Sequence, residues 1–130
     1  MSKEFKKYLG IDWGEVRIGL ALGDGENKLA TPFCVVKNID EILEIIAEEE
    51  IDEVVIGEPL AMVNSELINK EKYLSFLEEL KIKTNLPVKT LDERLSSKAA
   101  DALSGDKKTK APRDAIAAML ILQSFLDKES

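Results

Sequence analysis

The chain of 130 residues contains no histidine and only one cysteine, Cys34. Histidine is the commonest general base and the commonest transition-metal ligand in proteins, so its absence removes both roles. A single cysteine can form neither an intramolecular disulfide nor a thiolate metal cage. Any catalysis must therefore depend on carboxylates, lysines, hydroxyl groups or a hard metal ion.

Long apolar runs are also missing from the sequence. No segment reaches the roughly 20 apolar residues of a membrane-spanning helix, and the N-terminus lacks the apolar stretch of a signal peptide. These absences predict a cytoplasmic protein with no membrane contact. Apolar residues make up 45% and charged residues 33% of the chain, which is typical of a soluble globular protein. We expect a single domain over residues 1–130.

Positive charge is scarce overall but locally concentrated. With 18 basic and 25 acidic residues the formal net charge is −7, which argues against broad nonspecific attraction to nucleic acid. The densest basic cluster comprises Lys107, Lys108, Lys110 and Arg113. It lies in a polar segment, 104–113, whose helix breakers predict a mobile loop. This loop either contacts a phosphate backbone, as we predict, or merely adds solubility.

Apolar periodicity predicts three antiparallel strands at the start of the chain. The first covers Tyr8–Ile11 and runs into Asp12, after which Gly14 supplies a turn that can tolerate positive φ. Alternation from Val16 to Leu22 predicts a returning strand with one buried face. A third strand should cover Leu29–Val36, where a proline indicates a sheet edge or an irregularity.

The rest of the chain alternates between helices and short strands. A helix capped by Asn38 or Asp40 precedes a strand at Val54–Ile56, and a helix over Glu66–Thr84 precedes a strand at Val88–Leu91. A short helix from Ser96 or Ser97 to Leu103 and a long helix from Pro112 would complete the chain. The sequence therefore predicts an α/β fold with a five-stranded mixed sheet, three antiparallel strands and then two parallel ones, flanked by helices.

Four acidic residues fall where predicted strands end or the last helix begins: Asp12, Glu58, Glu93 and Asp114. In open α/β sheets, sites form outside the carboxyl ends of the strands. Converging carboxylates repel one another unless a divalent cation lies among them, and oxygen ligands suit Mg²⁺ or Mn²⁺. Each acid considered alone also has a purely structural interpretation. Asp12 could bond to the backbone of its own turn, Glu93 could pair with Arg94, and Asp114 could interact with the positive end of the helix dipole. Glu58 is a candidate auxiliary ligand or a solvated loop residue.

Three blocks in order, Gly10–Ala21, Asp92–Ser97 and Asp114–Leu126, resemble the YqgF family. These RuvX-type proteins are described as Holliday junction resolvases or pre-16S rRNA nucleases. The resemblance implies a ribonuclease H-like fold and metal-dependent phosphodiester hydrolysis. The family usually has Gly-Leu-Pro-Leu and a later Asp-Gly after the fourth strand, whereas this chain has Gly-Glu-Pro-Leu at Gly57–Leu60 and no Asp-Gly in the following residues, Ala61–Ser65. We expect that loop to handle substrate differently.

The resemblance assigns the family's catalytic acids to Asp12, Glu93 and Asp114. Two metal ions about 3.5–4 Å apart would be bridged by Asp12 and held by the other two acids. Arg17 and Arg94 lie close in sequence to these acids and would either orient phosphate or steady a metal ligand. The predicted function is that of a nuclease acting on structured nucleic acid. Its leading predicted role is 5′-end maturation of pre-16S rRNA. Cleavage of four-way DNA junctions and non-catalytic nucleic-acid binding in ribosome assembly are the alternatives. The sequence leaves open RNA or DNA substrates, endonuclease or exonuclease action, and a monomer or homodimer.

Overall fold

A computed structural model of the chain describes residues 5–14, 16–58, 67–92 and 113–128. Five strands and three helices are found there: β1 Lys7–Asp12, β2 Ile18–Asp24, β3 Ala30–Val36, α1 Ile39–Glu48, β4 Glu53–Glu58, α2 Leu67–Thr84, β5 Val88–Asp92 and α3 Arg113–Lys128. The short helix predicted to begin at Ser96 or Ser97 and most of the predicted loop 104–113 lie outside the described residues. Within those residues, no helix is long and apolar enough to cross a membrane.

The strands form one sheet in the order β3-β2-β1-β4-β5. β1, β2 and β3 are antiparallel neighbours, whereas β4 and β5 continue the sheet in parallel with β1, as the sequence predicts. β3 lies at the edge of the sheet. Its register with β2 shifts by one residue between Leu20, which pairs with Cys34, and Ala21, which pairs with Pro32. The expectation that Pro32 marks both an edge strand and an irregularity is confirmed.

The sheet is covered on both faces by apolar clusters. Alternate residues of each strand point to opposite faces, so β1 contributes Leu9 and Ile11 to one cluster and Tyr8 to the other. The first cluster also contains residues of α1 and α2, including Ile42, Tyr73 and Leu80. The second contains residues of α3, including Ala118, Leu122 and Phe125. Asp12 shares the parity of Tyr8 and therefore lies on the α3 face.

Strand β2 differs from the prediction of one buried face. Gly19 and Ala21, which the alternation placed on an open face, are buried under α3, and Val16 lies before the strand with 78% of its surface exposed. A Cβ atom on Gly19 would overlap the carbonyl group of Asp114 and lie 2.8 Å from the Ala115 nitrogen. The small residues of β2 therefore lie where the backbone of α3 packs on the strand.

Helix α3 is held against the sheet by close approach and by polar contacts. A Cβ atom on Gly10 would lie 2.7 Å from Leu122 Cβ and 2.9 Å from the Ala118 carbonyl oxygen, so only glycine permits this spacing. Farther along α3, Gln123 Oε1 accepts a hydrogen bond from the Ala30 backbone N–H at 2.9 Å. These contacts fix α3 relative to β1, β2 and β3.

Cys34 on the edge strand is a half-buried free thiol. Burial raises the pKa of the Cys34 thiol, and the carboxylate of Glu41 raises it further. Both effects favour the neutral thiol over the thiolate that binds metals and reacts as a nucleophile. The structure therefore gives Cys34 a packing role against the α1 and α2 cluster.

Asn38 caps α1, one of the two candidates offered by the sequence. Its Oδ1 accepts a hydrogen bond from the Glu41 backbone N–H at 3.0 Å. We predict that Asn38→Ala lowers the free energy of unfolding by about 1 kcal/mol, because a first-turn N–H loses its acceptor. Urea denaturation measures the difference. Asn38→Asp keeps an acceptor oxygen and should retain most of the stability, so an equal loss in both variants would contradict this role.

Candidate active site

Asp12 and Asp114 lie at the same end of the same face of the sheet. Asp12 pairs with Gly19 in the antiparallel register of β1 and β2. Residues directly opposite each other in such a pair project to one face. On that face, the backbone of Asp114 occupies the space next to Gly19 where a side chain would otherwise lie. The register thus brings together two acids from opposite ends of the chain.

Asp114 lies in the first turn of α3 with its side chain one-third exposed. The partial positive charge of a helix N-terminus favours a carboxylate at this position. Arg17 Nε lies 3.6 Å from Asp114 Oδ2, and 72% of the Arg17 side chain is exposed. Such an exposed pair contributes little to stability, about 0–1 kcal/mol. Its effect is to place an accessible guanidinium beside the acids.

The turn between β1 and β2 determines where Arg17 lies. A Cβ atom on Gly14 would overlap the Arg17 carbonyl oxygen, so the turn closes too tightly for any larger residue. Gly14 does not have a positive φ, so the turn does not use the conformational freedom expected from the sequence. The close backbone approach is instead the reason for a glycine at this position, and it brings Arg17 back toward Asp12.

Glu58 ends β4 and is exposed, in agreement with the expectation that it faces solvent or the site. It pairs with Asp92, the last residue of β5. Strand alternation assigns Glu58 to the same face as Ile56, which belongs to the α1 and α2 cluster, whereas Asp12 lies on the α3 face. The role of Glu58 as an auxiliary ligand stays a prediction.

Five predicted site residues lie outside the described part of the chain: Glu93, Arg94, Lys107, Lys108 and Lys110. Arg113 is exposed at the first position of α3, directly before Asp114. Within residues 5–14, 16–58, 67–92 and 113–128, no three acids, cysteines or histidines lie close enough to hold a metal ion. This part of the chain brings together two of the three predicted acids. Their oxygen donors are of the type that Mg²⁺ and Mn²⁺ prefer.

The family model for RuvX, described as Holliday junction resolvase, matches residues 6–128. The chain belongs to the RuvX family of nucleases. It is 35% identical to a "Putative pre-16S rRNA nuclease" of Maridesulfovibrio salexigens, with 92% of this chain and 97% of that protein covered. A relative with the same name from Roseiflexus sp. is 32% identical, with 99% of each chain covered. The resemblance noted from three sequence blocks is confirmed.

Solved structures confirm the ribonuclease H-like fold predicted for this RuvX chain. Thermus thermophilus RuvC in complex with a Holliday junction substrate matches with a TM-score of 0.66 and 19% identity, covering 95% of each chain. Fowlpox virus resolvase in complex with Holliday junction DNA matches with a TM-score of 0.58 and 11% identity, covering 95% of this chain and 98% of that chain. At these identities the likeness establishes the shared fold.

Gly19 is a site-forming residue that the sequence analysis missed. It bears no functional group, but the start of α3 packs directly on it. The available signal was the run of small residues at alternate positions, Gly19, Ala21 and Gly23, opposite a strand that ends in an acid. Small residues in a strand indicate close approach by another backbone.

Proposed function

We propose that this RuvX-family nuclease hydrolyses phosphodiester bonds in structured nucleic acid with divalent metal ions, and that its role is 5′-end maturation of pre-16S rRNA. The observation that carries the chemistry is the placement of Asp12 and Asp114 at one end of the sheet, fixed through Gly19. The substrate assignment is supported by the names of relatives that match almost the whole chain.

Asp12, Asp114 and Glu93 would hold Mg²⁺ or Mn²⁺, with two ions per site. When bound, such ions activate a water molecule and stabilise the leaving oxygen of the phosphodiester. The protein's contribution is to hold the carboxylates in place. Asp12 is the last residue of a strand paired on both sides, and the backbone of Asp114 is packed on Gly19.

Arg17 would orient the phosphate next to these acids. A guanidinium presents a rigid fork of N–H donors that matches two phosphate oxygens. The ion pair with Asp114 keeps the Arg17 side chain at the site, and its 72% exposure leaves donors accessible to a substrate. Arg94, one residue after Glu93 in the sequence, is proposed to act in the same way.

Cleavage assays on matched substrates test this proposal. Purified protein is incubated with a pre-16S rRNA fragment, the DNA of the same sequence and a four-way DNA junction, each with and without Mg²⁺ or Mn²⁺. We expect metal-dependent cleavage of the RNA. Preferential cleavage of the four-way junction would support the second candidate, which the family's description as Holliday junction resolvase favours. Binding without cleavage in any metal would favour an assembly factor and contradict the proposal.

The basic cluster Lys107, Lys108 and Lys110 is proposed to bind the phosphate backbone. Replacing the three lysines with alanine should weaken substrate binding, because an acidic protein needs local positive charge to hold a polyanion. The slope of the logarithm of the binding constant against the logarithm of the salt concentration should become shallower by about 0.7 to 0.9 for each lost phosphate contact. Filter binding over a salt series measures both quantities. Alanine replacement of Lys81, Lys89 and Lys128, three exposed lysines elsewhere on the surface, removes the same charge and is the control. Equal effects of the two sets would contradict the assignment.

Glu58→Gln tests the auxiliary acid. If Glu58 assists the metal site, the change should weaken Mn²⁺ binding and slow cleavage together, because one anionic ligand becomes neutral while its size is kept. Isothermal calorimetry with Mn²⁺ and cleavage rates give the two readouts. Unchanged affinity and rate would leave Glu58 as a solvated residue at the end of β4.

A further inference from the structure

A groove of about 620 Å³ opens on the α1 and α2 face of the sheet, beside the end of β1. Its floor is formed by Trp13, Gly14 and Ile18, one wall by residues 37–40 at the junction of β3 and α1, and the other wall by one side of α2. Trp13 directly follows Asp12, so the groove begins one residue away from the acids but on the opposite face of the sheet. A substrate passing around the end of β1 would reach both.

The groove has an aromatic lining. Trp13 and Phe76 both line it and both are half-buried. The Trp13 ring centroid lies 6.3 Å from that of Phe76 and, in an edge contact, 5.7 Å from that of the buried Tyr73. Both Trp13 and Phe76 also pack against the α1 and α2 cluster, which holds the rings in place. Aromatic side chains in this setting provide stacking platforms for nucleobases, which bind through their π faces.

The charges around the groove balance one another. The lining includes three basic residues, Lys37, Lys72 and Lys83, and three acidic residues, Asp40, Glu71 and Glu79. Lys83 is already engaged, since its Nζ lies 2.8 Å from Glu79 Oε2. A track for a phosphate backbone would need an excess of positive charge. An uncharged planar group is therefore a better occupant than a phosphate, and carboxylates on the rim can accept hydrogen bonds from the amino groups of bases.

We propose that this groove binds one unpaired nucleobase of the substrate, stacked on Trp13, while a nearby phosphodiester lies at Asp12 and Asp114. The inference rests on the proposed nuclease function, because continuity with the acidic site is what identifies the occupant as part of a nucleic acid. A nucleic-acid strand that contacts both faces at this end of the sheet cannot stay base-paired there, so its nucleotides must be unpaired at this point. The groove would therefore select cleavage positions next to unpaired nucleotides.

Trp13 is the only tryptophan of the chain, so its emission reports on the groove directly. The experiment uses the full chain carrying Asp12→Asn, which should bind substrate without cutting it. Tryptophan-selective fluorescence is titrated with a short single-stranded oligonucleotide and with an abasic oligonucleotide of the same length and charge. We expect quenching by the first, with affinity about 5-fold to 150-fold higher than for the abasic strand. Equal quenching by both strands, or no change with either, would overturn the nucleobase assignment.

A second variant blocks the groove without touching the acids. Ser75 is exposed on α2 and lines the groove, so Ser75→Tyr would fill it. The neighbouring Leu74, 46% exposed, does not line the groove, and Leu74→Tyr is the matched control. With Asp12 intact, Ser75→Tyr should raise KM for cleavage of a substrate with an unpaired nucleotide at least about fivefold, the lower limit for losing one stacked base. Leu74→Tyr should leave KM unchanged.

These measurements distinguish failure of the groove assignment from failure of the nuclease proposal. If the wild-type protein shows metal-dependent cleavage and Ser75→Tyr has the same KM, the groove assignment is wrong and the nuclease proposal stands. If oligonucleotides with bases quench Trp13 but no substrate is cleaved in any metal, the nuclease proposal fails and the groove remains a nucleobase site.

Discussion

Asp12→Asn is expected to lower the rate of metal-dependent cleavage by more than about a hundredfold while the protein stays folded. Loss of a hydrogen-bond partner of a metal ligand already costs about 10-fold to 100-fold, so loss of a charged ligand should cost more. The change is nearly isosteric and lies at a strand end that is only half-buried, which keeps the loss of stability small. Single-turnover cleavage, calorimetric binding of Mn²⁺ and thermal unfolding give the three readouts.

Asp24→Asn is the matched control for this variant. Asp24 is also the last residue of a strand, but it pairs with Lys7 at the other end of β1, far from Asp114 along the same strands. Its Oδ1 accepts a hydrogen bond from the Asn27 backbone N–H at 2.8 Å, which an asparagine side chain can also accept. We expect wild-type cleavage from Asp24→Asn. Wild-type cleavage and Mn²⁺ affinity in Asp12→Asn would show that the reacting centre lies elsewhere.

Gly19→Ala is expected to have the largest effect on stability of any single methyl addition considered. The new Cβ atom would overlap the carbonyl group of Asp114, and a helix backbone cannot rotate away as a side chain can. Overpacking typically costs about 1–3 kcal/mol and sometimes more, so we expect the free energy of unfolding to fall by about 3 kcal/mol or more. Folded protein, studied at low temperature, should also lose cleavage activity about a hundredfold, because a displacement near 1 Å is enough to misplace a catalytic group.

Gly25→Ala provides the comparison, since it makes the same chemical change in open space. A Cβ atom on Gly25 would come no closer than 3.8 Å to Lys6, which is an ordinary contact, and the residue does not have a positive φ. Urea denaturation should show little change for this variant. If Gly19→Ala is equally harmless, the start of α3 is not held by β2, and the route by which Asp114 reaches Asp12 would need another explanation.

The element types and the division into three antiparallel and two parallel strands followed from local patterns. Strong periodicity in α1 and the short apolar run of β4 were sufficient, and Pro32 correctly indicated the edge strand. The burial of β2 was missed because period-two alternation assigns the less apolar positions to solvent. At Gly19 the missing side chain leaves room for the backbone of a helix almost one hundred residues later, and the small side chain of Ala21 packs in the same cluster as that helix.

The candidate site was predictable in composition and less so in geometry. Strand ends identified Asp12, and a helix start identified Asp114, because acids at these places follow general rules of α/β folds. The position of Arg17 depends on the tight turn at Gly14, whose reason is a backbone contact and not the conformation expected from sequence. The groove lined by Trp13 depends on how α1 and α2 are spaced, which no local pattern specifies.

If the substrate is RNA, as proposed, the packing of the last helix on the first strand also determines when during synthesis the chain can begin to cut it. During synthesis, Asp12 emerges early, but Asp114 follows only after almost all of the other described residues. Until α3 has left the ribosome and packed on Gly10 and Gly19, the nascent chain has one of these acids and not the other. Domains generally fold as units after the necessary residues are available. An incomplete chain, made next to the RNA of the ribosome, would therefore be unable to cut it.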